Sequence, residues 1–339
     1  MRSRIAVTDV AAIKAELHRA RRTASHDVAE ASANAVTLNF VVYSGQPERH
    51  KWVVERSLRI AAKHPARLIV LDATAGGEAA VVTLPRNAAH SNALSERIEL
   101  PVRGVDPAVL RSVVQELLLR DVPTVVWWAA SGLTAASGFA GLTELATSIV
   151  VDSSGSARDQ ETIAELLDFA ERFPAIAIRD LAFMRLAPWQ ETIAQFFDDP
   201  DLFDDVFAIS RLEVDAGSQA EGLYLAGWLA SRLEWTARDR RSFGTRDGRT
   251  IPFVERTRGE QRRVLRVALG TPNSTYVAAV SDADERVVCL SVEGAKARSK
   301  PCMPLQSIDN ASLIERAILQ SGRDQVFETS LATVRGLLG

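Results

Sequence analysis

Two apolar, β-branched segments with one amphipathic segment between them limit the possible folds of this chain more than any other pattern. Val36–Tyr43 reads VTLNFVVY and Arg67–Ala73 reads RLIVLDA, and each segment predicts a buried strand. The apolar residues between them recur at helical spacing: Val53, Val54, Leu58, Ala61 and Ala62. This helix should end before Pro65, because a residue that precedes proline is pushed out of the helical region. A strand, a helix and a strand in this order normally form a parallel pair with a right-handed crossover.

The same alternation of strands and helices continues to about residue 175. Asp106 and Pro107 have the residue types that begin a helix, as N-cap and first helical residue. Six apolar residues of that helix are expected on one face: Val109, Leu110, Val113, Val114, Leu117 and Leu118. The other predicted elements are strands at Ala79–Leu84, Arg97–Val102, Thr124–Ala130 and Ile149–Asp152, and a helix at Glu161–Phe173. The pattern predicts an α/β fold with an N-terminal, mostly parallel sheet covered by helices.

The pattern changes after residue 175. A helix is expected from Pro188, a strand at Val206–Val214 and a helix at Gly222–Trp235. Three short strands follow, at Val264–Leu269, Thr275–Val280 and Arg286–Val292, and two helices, near Ser312–Gln320 and Val326–Leu338. Consecutive short strands indicate an antiparallel meander, so the second half is predicted to be a C-terminal α+β domain. The expected organisation is a basic N-terminal helical segment over 1–30, an α/β domain over 31–175 and an α+β domain over 176–339.

Composition excludes several classes of function. The 339 residues carry a formal net charge of -3, which gives no indication of a nucleic-acid partner. No apolar run reaches the roughly 18 residues that a membrane span needs, so we expect a cytoplasmic protein without a membrane partner. Cys289 and Cys302 are too few for a disulfide framework. They could form one redox pair, but two unrelated thiols is the simpler interpretation.

The sequence contains none of the common catalytic motifs. A Walker P-loop, a GxGxxG after a strand, a GxSxG elbow, HExxH and paired CxxC are all missing, and the five histidines lack metal-ligand spacing. We therefore expect no catalytic residues, no metal centre and no cofactor. A weaker alternative is an enzyme that uses strand-end residues such as Asp72 and Asp152.

Two charged segments are candidate ion-binding sites. The acidic segment FFDDPDLFDD over 196–205 could hold a divalent cation, although a solvated loop with helix-capping aspartates is the preferred interpretation. The stretch 238–266 contains ten arginines and only four acidic residues. Arginine binds phosphates and carboxylates in a bidentate way, so this stretch could bind an anion. The candidate anion-binding residues are Arg238, Arg240, Arg241 and Arg246; the alternative is a solvated basic face.

Several segments together resemble one known family. They are VTLNFVVYS at 36–44, KHPARLIVLDA at 63–73, LLLRDVPTVVWWA at 117–129, VVDSS at 150–154, IRDLAFMRLAPWQETIAQFFD at 178–198 and LYLAGWLASRLEW at 223–235. In this order they resemble the OpcA family of glucose-6-phosphate dehydrogenase assembly proteins. The resemblance implies a non-catalytic protein that binds glucose-6-phosphate dehydrogenase and promotes its assembly or allosteric activation in the oxidative pentose phosphate pathway.

Four residues in the family-like segments are candidates for partner binding. Trp127 and Trp128 follow one another on a predicted strand, and Arg185 and Trp189 lie in the most specific segment. Tryptophan and arginine are enriched at interface hot spots, but each tryptophan could equally belong to the core. An alternative function is a sensor of a sugar phosphate or nucleotide, in which the arginine stretch 238–266 binds a small phosphorylated effector.

Overall fold

The computed structural model describes residues 5–26, 36–84, 95–133, 138–154, 158–258, 263–299, 302–305 and 309–339. Close contacts group the chain into two compact units. Unit 1 comprises 1–151, 173–179 and 314–322, and unit 2 comprises 152–172, 180–313 and 323–339. The helix at 159–172 therefore groups with unit 2, whereas the domain boundary at residue 175 stays a prediction.

Unit 1 is built on an eight-stranded mixed sheet. Its strands are β1 Ile5–Ala6, β2 Leu38–Ser44, β3 Ala66–Asp72, β4 Glu78–Leu84, β5 Ser95–Pro101, β6 Thr124–Ala129, β7 Ser148–Val151 and β8 Ala177–Asp180. Their order is β1-β4-β5-β3-β2-β6-β7-β8. The pairs β2/β3, β2/β6, β3/β5 and β6/β7 are parallel, while β4 and β1 add antiparallel strands at one edge. The predicted strand–helix–strand unit is confirmed, with β2 and β3 in parallel register.

The helices of this part of the chain are α1 Val10–His26, α2 Pro47–Lys63, α3 Pro107–Leu117 and α4 Phe139–Thr143. Helix α3 begins as predicted, because the Asp106 carboxylate accepts hydrogen bonds from two amides of the first turn. Its apolar face is narrower than predicted: Leu110, Val113, Val114 and Leu117 are buried, but Val109 is exposed. The predicted face of six apolar residues was too wide, because Val109 lies at the edge of the apolar stripe, outside the arc that the four buried residues occupy.

Unit 2 contains a second, mostly antiparallel sheet. Its strands are β9 Arg211–Ala216, β10 Thr236–Asp239, β11 Ser242–Gly244, β12 Thr250–Thr257, β13 Val264–Gly270, β14 Ser274–Val280, β15 Val287–Gly294, β16 Arg298–Ser299 and β17 Met303–Pro304. Their order is β10-β11-β12-β9-β13-β14-β15-β16, with β17 also paired to β15. The meander β13-β14-β15 is antiparallel as predicted, and β12 pairs with β9 in parallel.

The remaining helices are α5 Asp159–Arg172, α6 Leu181–Met184, α7 Ala187–Ala194, α8 Pro200–Phe203, α9 Gln219–Arg232, α10 Asn310–Leu319 and α11 Gln325–Leu338. Strand β9 begins five residues later than predicted, because Asp204–Val206 forms a 3₁₀ turn. Helices α9 and α11 approach closely where Gly227 faces Val334, and an added Cβ at Gly227 would lie 2.5 Å from the Val334 Cγ2 atom. None of the helices in the described ranges is long and apolar enough to cross a bilayer.

The two cysteines form a disulfide within unit 2. Strand β17 pairs with β15 so that Met303 lies opposite Val288, which brings the neighbouring Cys302 next to Cys289. The interpretation as two unrelated thiols was therefore wrong, because the short strand β17 is too brief to be visible as a sequence pattern.

Candidate functional site

The two tryptophans of β6 are core residues of unit 1. Trp127 and Trp128 are only 3% and 2% exposed. They point to opposite faces of the sheet, where Trp127 packs against Phe40 and Trp128 stacks on Tyr43 with ring centroids 3.9 Å apart. The Trp128 indole N–H donates to the Gly132 carbonyl at 3.0 Å. In this arrangement the two indoles present almost no surface to a partner.

The other two candidates, Arg185 and Trp189, lie in unit 2. Trp189 belongs to α7 and is buried. Arg185 follows α6 as its C-cap, and its side chain is 12% exposed. Arg185 does not face solvent as an isolated anchor, because its guanidinium lies in a network of buried carboxylates.

We name this network the Arg185 cluster and define it as Asp152, Asp180, Arg185, Glu221 and Tyr224. The guanidinium binds Asp152 through two nitrogens, with Nη2 2.7 Å from Oδ1 and Nη1 3.3 Å from Oδ2. Its Nε donates to Oε1 of Glu221 at 2.8 Å. Two bonds to one carboxylate and one to another use the forked shape of arginine, which a lysine could not reproduce.

The second half of the cluster is centred on Asp180. Its Oδ1 accepts from the backbone N–H groups of Ser153 and Ala182, at 3.1 and 2.9 Å, and its Oδ2 accepts from the Tyr224 hydroxyl at 2.8 Å. Asp180 is thereby the N-cap of α6 and also ties that helix to α9. Both oxygens are satisfied by donors that the fold itself supplies.

Helix α9 brings Glu221 and Tyr224 to the cluster. Ser218 is its N-cap and donates to Oδ2 of Asp159 at 2.9 Å, an oxygen that also accepts from the Ala220 N–H at 3.3 Å. Acidic groups at a helix N-terminus are favoured by the unpaired N–H groups of the first turn. The sequence therefore places Asp159 and Glu221 where the helix backbone compensates part of their charge.

Burial shifts the titration of these groups. The pKa of Asp180 is raised to about 6 by burial and by the charge of Asp152, and the hydrogen bonds from Ser153 and Tyr224 only partly oppose this. The pKa of Glu221 is raised to about 7 by burial, despite the attraction of Arg185. Burial disfavours the charged form of Arg185, but Asp152 and Glu221 outweigh it, so the arginine pKa lies above its ordinary value.

A third carboxyl nearby, Glu255 of β12, behaves in the same way. Its pKa is raised to about 7 by burial and by the charge of Asp159, against a hydrogen bond from Gln219. Its Oε1 is buried, accepts no hydrogen bond from any residue in the described ranges and packs against Gly222, where an added Cβ would lie only 2.6 Å from it. In the described part of unit 2, burial thus raises the pKa values of Asp180, Glu221 and Glu255 to about 6, 7 and 7.

The contacts of this cluster connect separate segments of unit 2. Most oxygens of the cluster already accept hydrogen bonds from the chain itself, and the described residues contain no group of side chains suited to a metal ion. The cluster joins three segments, 152–154, 180–185 and 218–224, into one buried ion network. Removing one partner from such a network leaves an uncompensated buried charge, which is strongly destabilising.

The arginine stretch is largely paired with carboxylates or carbonyls of unit 2. Arg256 binds Glu213 and Asp215, Arg263 binds Glu285, and Arg249 binds backbone carbonyls. Of the predicted anion-binding residues, Arg238 donates to the Thr250 hydroxyl at 2.9 Å and Arg246 pairs with Glu234 at 2.9 Å. Arg240 and Arg241 are exposed at the turn between β10 and β11. An anion site formed by these four residues stays a prediction.

Sequence reasoning selected Arg185 and named Asp152 as a strand-end residue, but it did not connect them and it missed Glu221 and Tyr224. One signal was available. Glu221 is the acidic residue in the first turn of α9, directly before the apolar run GLYLAGWLA, and such a residue is buried only when it is paired. This position of Glu221 therefore indicates a buried acidic residue that needs a basic partner such as arginine.

Together, the fold and the cluster define a two-unit α/β protein in which unit 2 holds a largely buried network of one arginine and three carboxyl groups. Comparison with known proteins places the chain more narrowly. Residues 57–168 match the family model of the glucose-6-phosphate dehydrogenase subunit N-terminal domain, and residues 176–331 match that of the corresponding C-terminal domain. The chain belongs to the OpcA family.

Two relatives and one solved structure illustrate the range of similarity. The OpcA protein of Synechocystis sp. is 29% identical over 312 residues, which cover 82% of this chain and 65% of the relative. That of Synechococcus elongatus is 28% identical over 309 residues, covering 81% and 68%. The chain thus spans about two thirds of the length of these relatives. A mutant of the 3-ketoreductase KijD10 of Actinomadura kijaniata aligns with a TM-score of 0.48 and 13% identity over 88% of this chain and 95% of the enzyme, and no activity follows from that likeness.

Proposed function

We propose that the chain is a non-catalytic accessory protein that binds glucose-6-phosphate dehydrogenase and promotes its assembly or allosteric activation. The observation that carries the proposal is the match of both halves of the chain to models of subunit domains of that dehydrogenase. The Arg185 cluster agrees with it, because its buried charges are used for internal cohesion.

The physical requirement on such an activator is differential affinity. A protein that bound the active and inactive forms of the dehydrogenase equally would shift nothing, however tightly it bound. Moving a two-state equilibrium from 1:99 to 99:1 requires roughly 10⁴-fold tighter binding to the favoured state. A change in oligomer size upon binding is the simplest way to obtain this difference, because an interface can span two dehydrogenase subunits only in the assembled form.

The proposal is tested by mixing the chain with the dehydrogenase of the same organism. NADPH formation at sub-saturating glucose 6-phosphate and particle mass from light scattering are recorded as the chain is titrated. We expect a rise in rate together with a larger particle. No complex and no change in rate at micromolar concentrations would contradict it.

A further inference from the structure

One aromatic pair lies on the surface of unit 2. Phe203 and Phe207 are 53% and 63% exposed, which makes them the most exposed large apolar side chains of the described residues. Their rings contact edge to face, with centroids 5.9 Å apart. A single exposed apolar residue needs no explanation, but two aromatic rings in contact form a small continuous apolar patch.

The backbone that carries the pair is held firmly. Arg249 donates to the carbonyls of Phe207 and Ile209, at 2.9 and 3.1 Å. Lys296 donates to the carbonyl of Asp201 at 2.7 Å, on the other side of Phe203. An aromatic pair on an anchored backbone loses less conformational entropy upon binding than one on a free loop.

Five aspartates lie in the segment that leads into the pair. Of the five aspartates between 198 and 205, Asp199 pairs with Arg298 at 2.6 Å and Asp205 pairs with Lys296 at 3.0 Å. The remaining three, Asp198, Asp201 and Asp204, are exposed, and no side chain of the described residues forms an ion pair with them. In this segment two aspartates therefore pair with basic side chains of unit 2, and three exposed aspartates near the two phenylalanines in the sequence add negative charge.

We propose that Asp198, Asp201, Phe203, Asp204 and Phe207 form the docking surface for a protein partner, and we name them the Phe203–Phe207 surface. The complementary partner surface has an apolar pocket bordered by lysine or arginine side chains. Aromatic anchors supply the energy of such a contact, whereas the surrounding charges raise the association rate and select the partner. This inference rests on the proposed function, under which the dehydrogenase carries that pocket.

The first test removes the apolar part. The double variant Phe203→Ala, Phe207→Ala should fold like the wild type, because both side chains are exposed, and its unfolding midpoint checks this. Its dissociation constant for the dehydrogenase should rise by about tenfold or more. The matched control Val254→Ala, Val326→Ala removes two other exposed apolar side chains of unit 2 and should bind like the wild type.

The second test reverses the charge. Asp201→Lys, Asp204→Lys should slow association with the dehydrogenase and reduce its dependence on salt, while leaving dissociation less affected. The conservative variant Asp201→Asn, Asp204→Asn should lie between it and the wild type.

The outcomes separate the two proposals. If the wild type binds the dehydrogenase and both phenylalanine and charge variants bind equally well, the Phe203–Phe207 surface is refuted while the proposed function stands. If the wild type itself does not bind, the proposed function fails and the surface assignment fails with it. If light scattering shows that the wild type self-associates and the double phenylalanine variant does not, the occupant is a second copy of the chain, which contradicts the inference.

Discussion

Replacing Arg185 by methionine tests whether the Arg185 cluster holds unit 2 together. Methionine keeps an unbranched apolar stem but removes the guanidinium, and with it the bonds to Asp152 and Glu221. Glu221 is fully buried and its charged form loses the attraction of Arg185. Removing one partner of a buried ion pair costs about 3–5 kcal/mol of unfolding free energy, and we expect a loss in this range at pH 8.

The loss should depend on pH in a defined direction. The folded pKa of Glu221 is about 7, above its ordinary value, so the stability that this group contributes is present at low pH and is lost as pH rises through 7. Without Arg185 the charged form of Glu221 is still less favourable. The deficit of the variant should therefore be smaller at pH 5, where Glu221 is protonated in the folded state, than at pH 8.

The assay is urea unfolding at pH 5 and pH 8, followed by far-UV circular dichroism, with the slope m compared between variants. Arg246→Met is the matched control, because Arg246 and Glu234 form a pair whose side chains are 80% and 58% exposed. Such an exposed pair contributes about 0–1 kcal/mol. Equal losses for Arg185→Met and Arg246→Met at both pH values would refute the role assigned to the cluster.

Three further variants test a buried carboxyl, a helix contact and a helix cap by the same unfolding measurement. Glu255→Gln removes a buried carboxyl whose pKa is raised to about 7, so it should stabilise the protein by about 1–3 kcal/mol at pH 8 and have little effect at pH 5; a pH-independent difference would contradict this. Gly227→Ala should destabilise by about 1–3 kcal/mol, because its Cβ would lie 2.5 Å from Val334 and 2.7 Å from the Ser330 carbonyl; a gain in stability, as helix propensity alone predicts, would show that α9 and α11 can separate. Asp106→Ala should cost about 1 kcal/mol through loss of the α3 cap, and an unchanged midpoint would mean that the cap contributes nothing.

Local patterns predicted the fold of the N-terminal half well. Strands β2 and β3 follow from their apolar runs, and the start of α3 follows from Asp106 and Pro107, because each signal depends on neighbouring residues. The hairpin strands β10 to β12 were missed, although Ile251 and Phe253 are buried in strict alternation with exposed neighbours. In that stretch the prediction relied on the charge of the arginines and overlooked the alternation of buried and exposed residues that is typical of a strand.

The candidate site was less accessible to sequence reasoning. Arg185 is 33 residues from Asp152 and 36 from Glu221, and no local rule connects residues at such separations. The tryptophans are residues that the sequence selected for a surface role although the structure buries them. Trp127, Trp128 and Trp189 were selected for their enrichment at interfaces, whereas all three are buried. In the part of the chain that the structure describes, the exposed aromatic residues are Phe203 and Phe207. Residue type alone does not distinguish a core aromatic from a surface one.

The most direct test of the proposed function is the particle mass of the dehydrogenase with and without this chain, measured by light scattering while NADPH formation is recorded in the same sample. Under the proposed function we expect a larger particle and a higher rate that appear together at the same concentration of the chain. A dehydrogenase whose mass and rate are both unchanged at micromolar concentrations of the chain would contradict it.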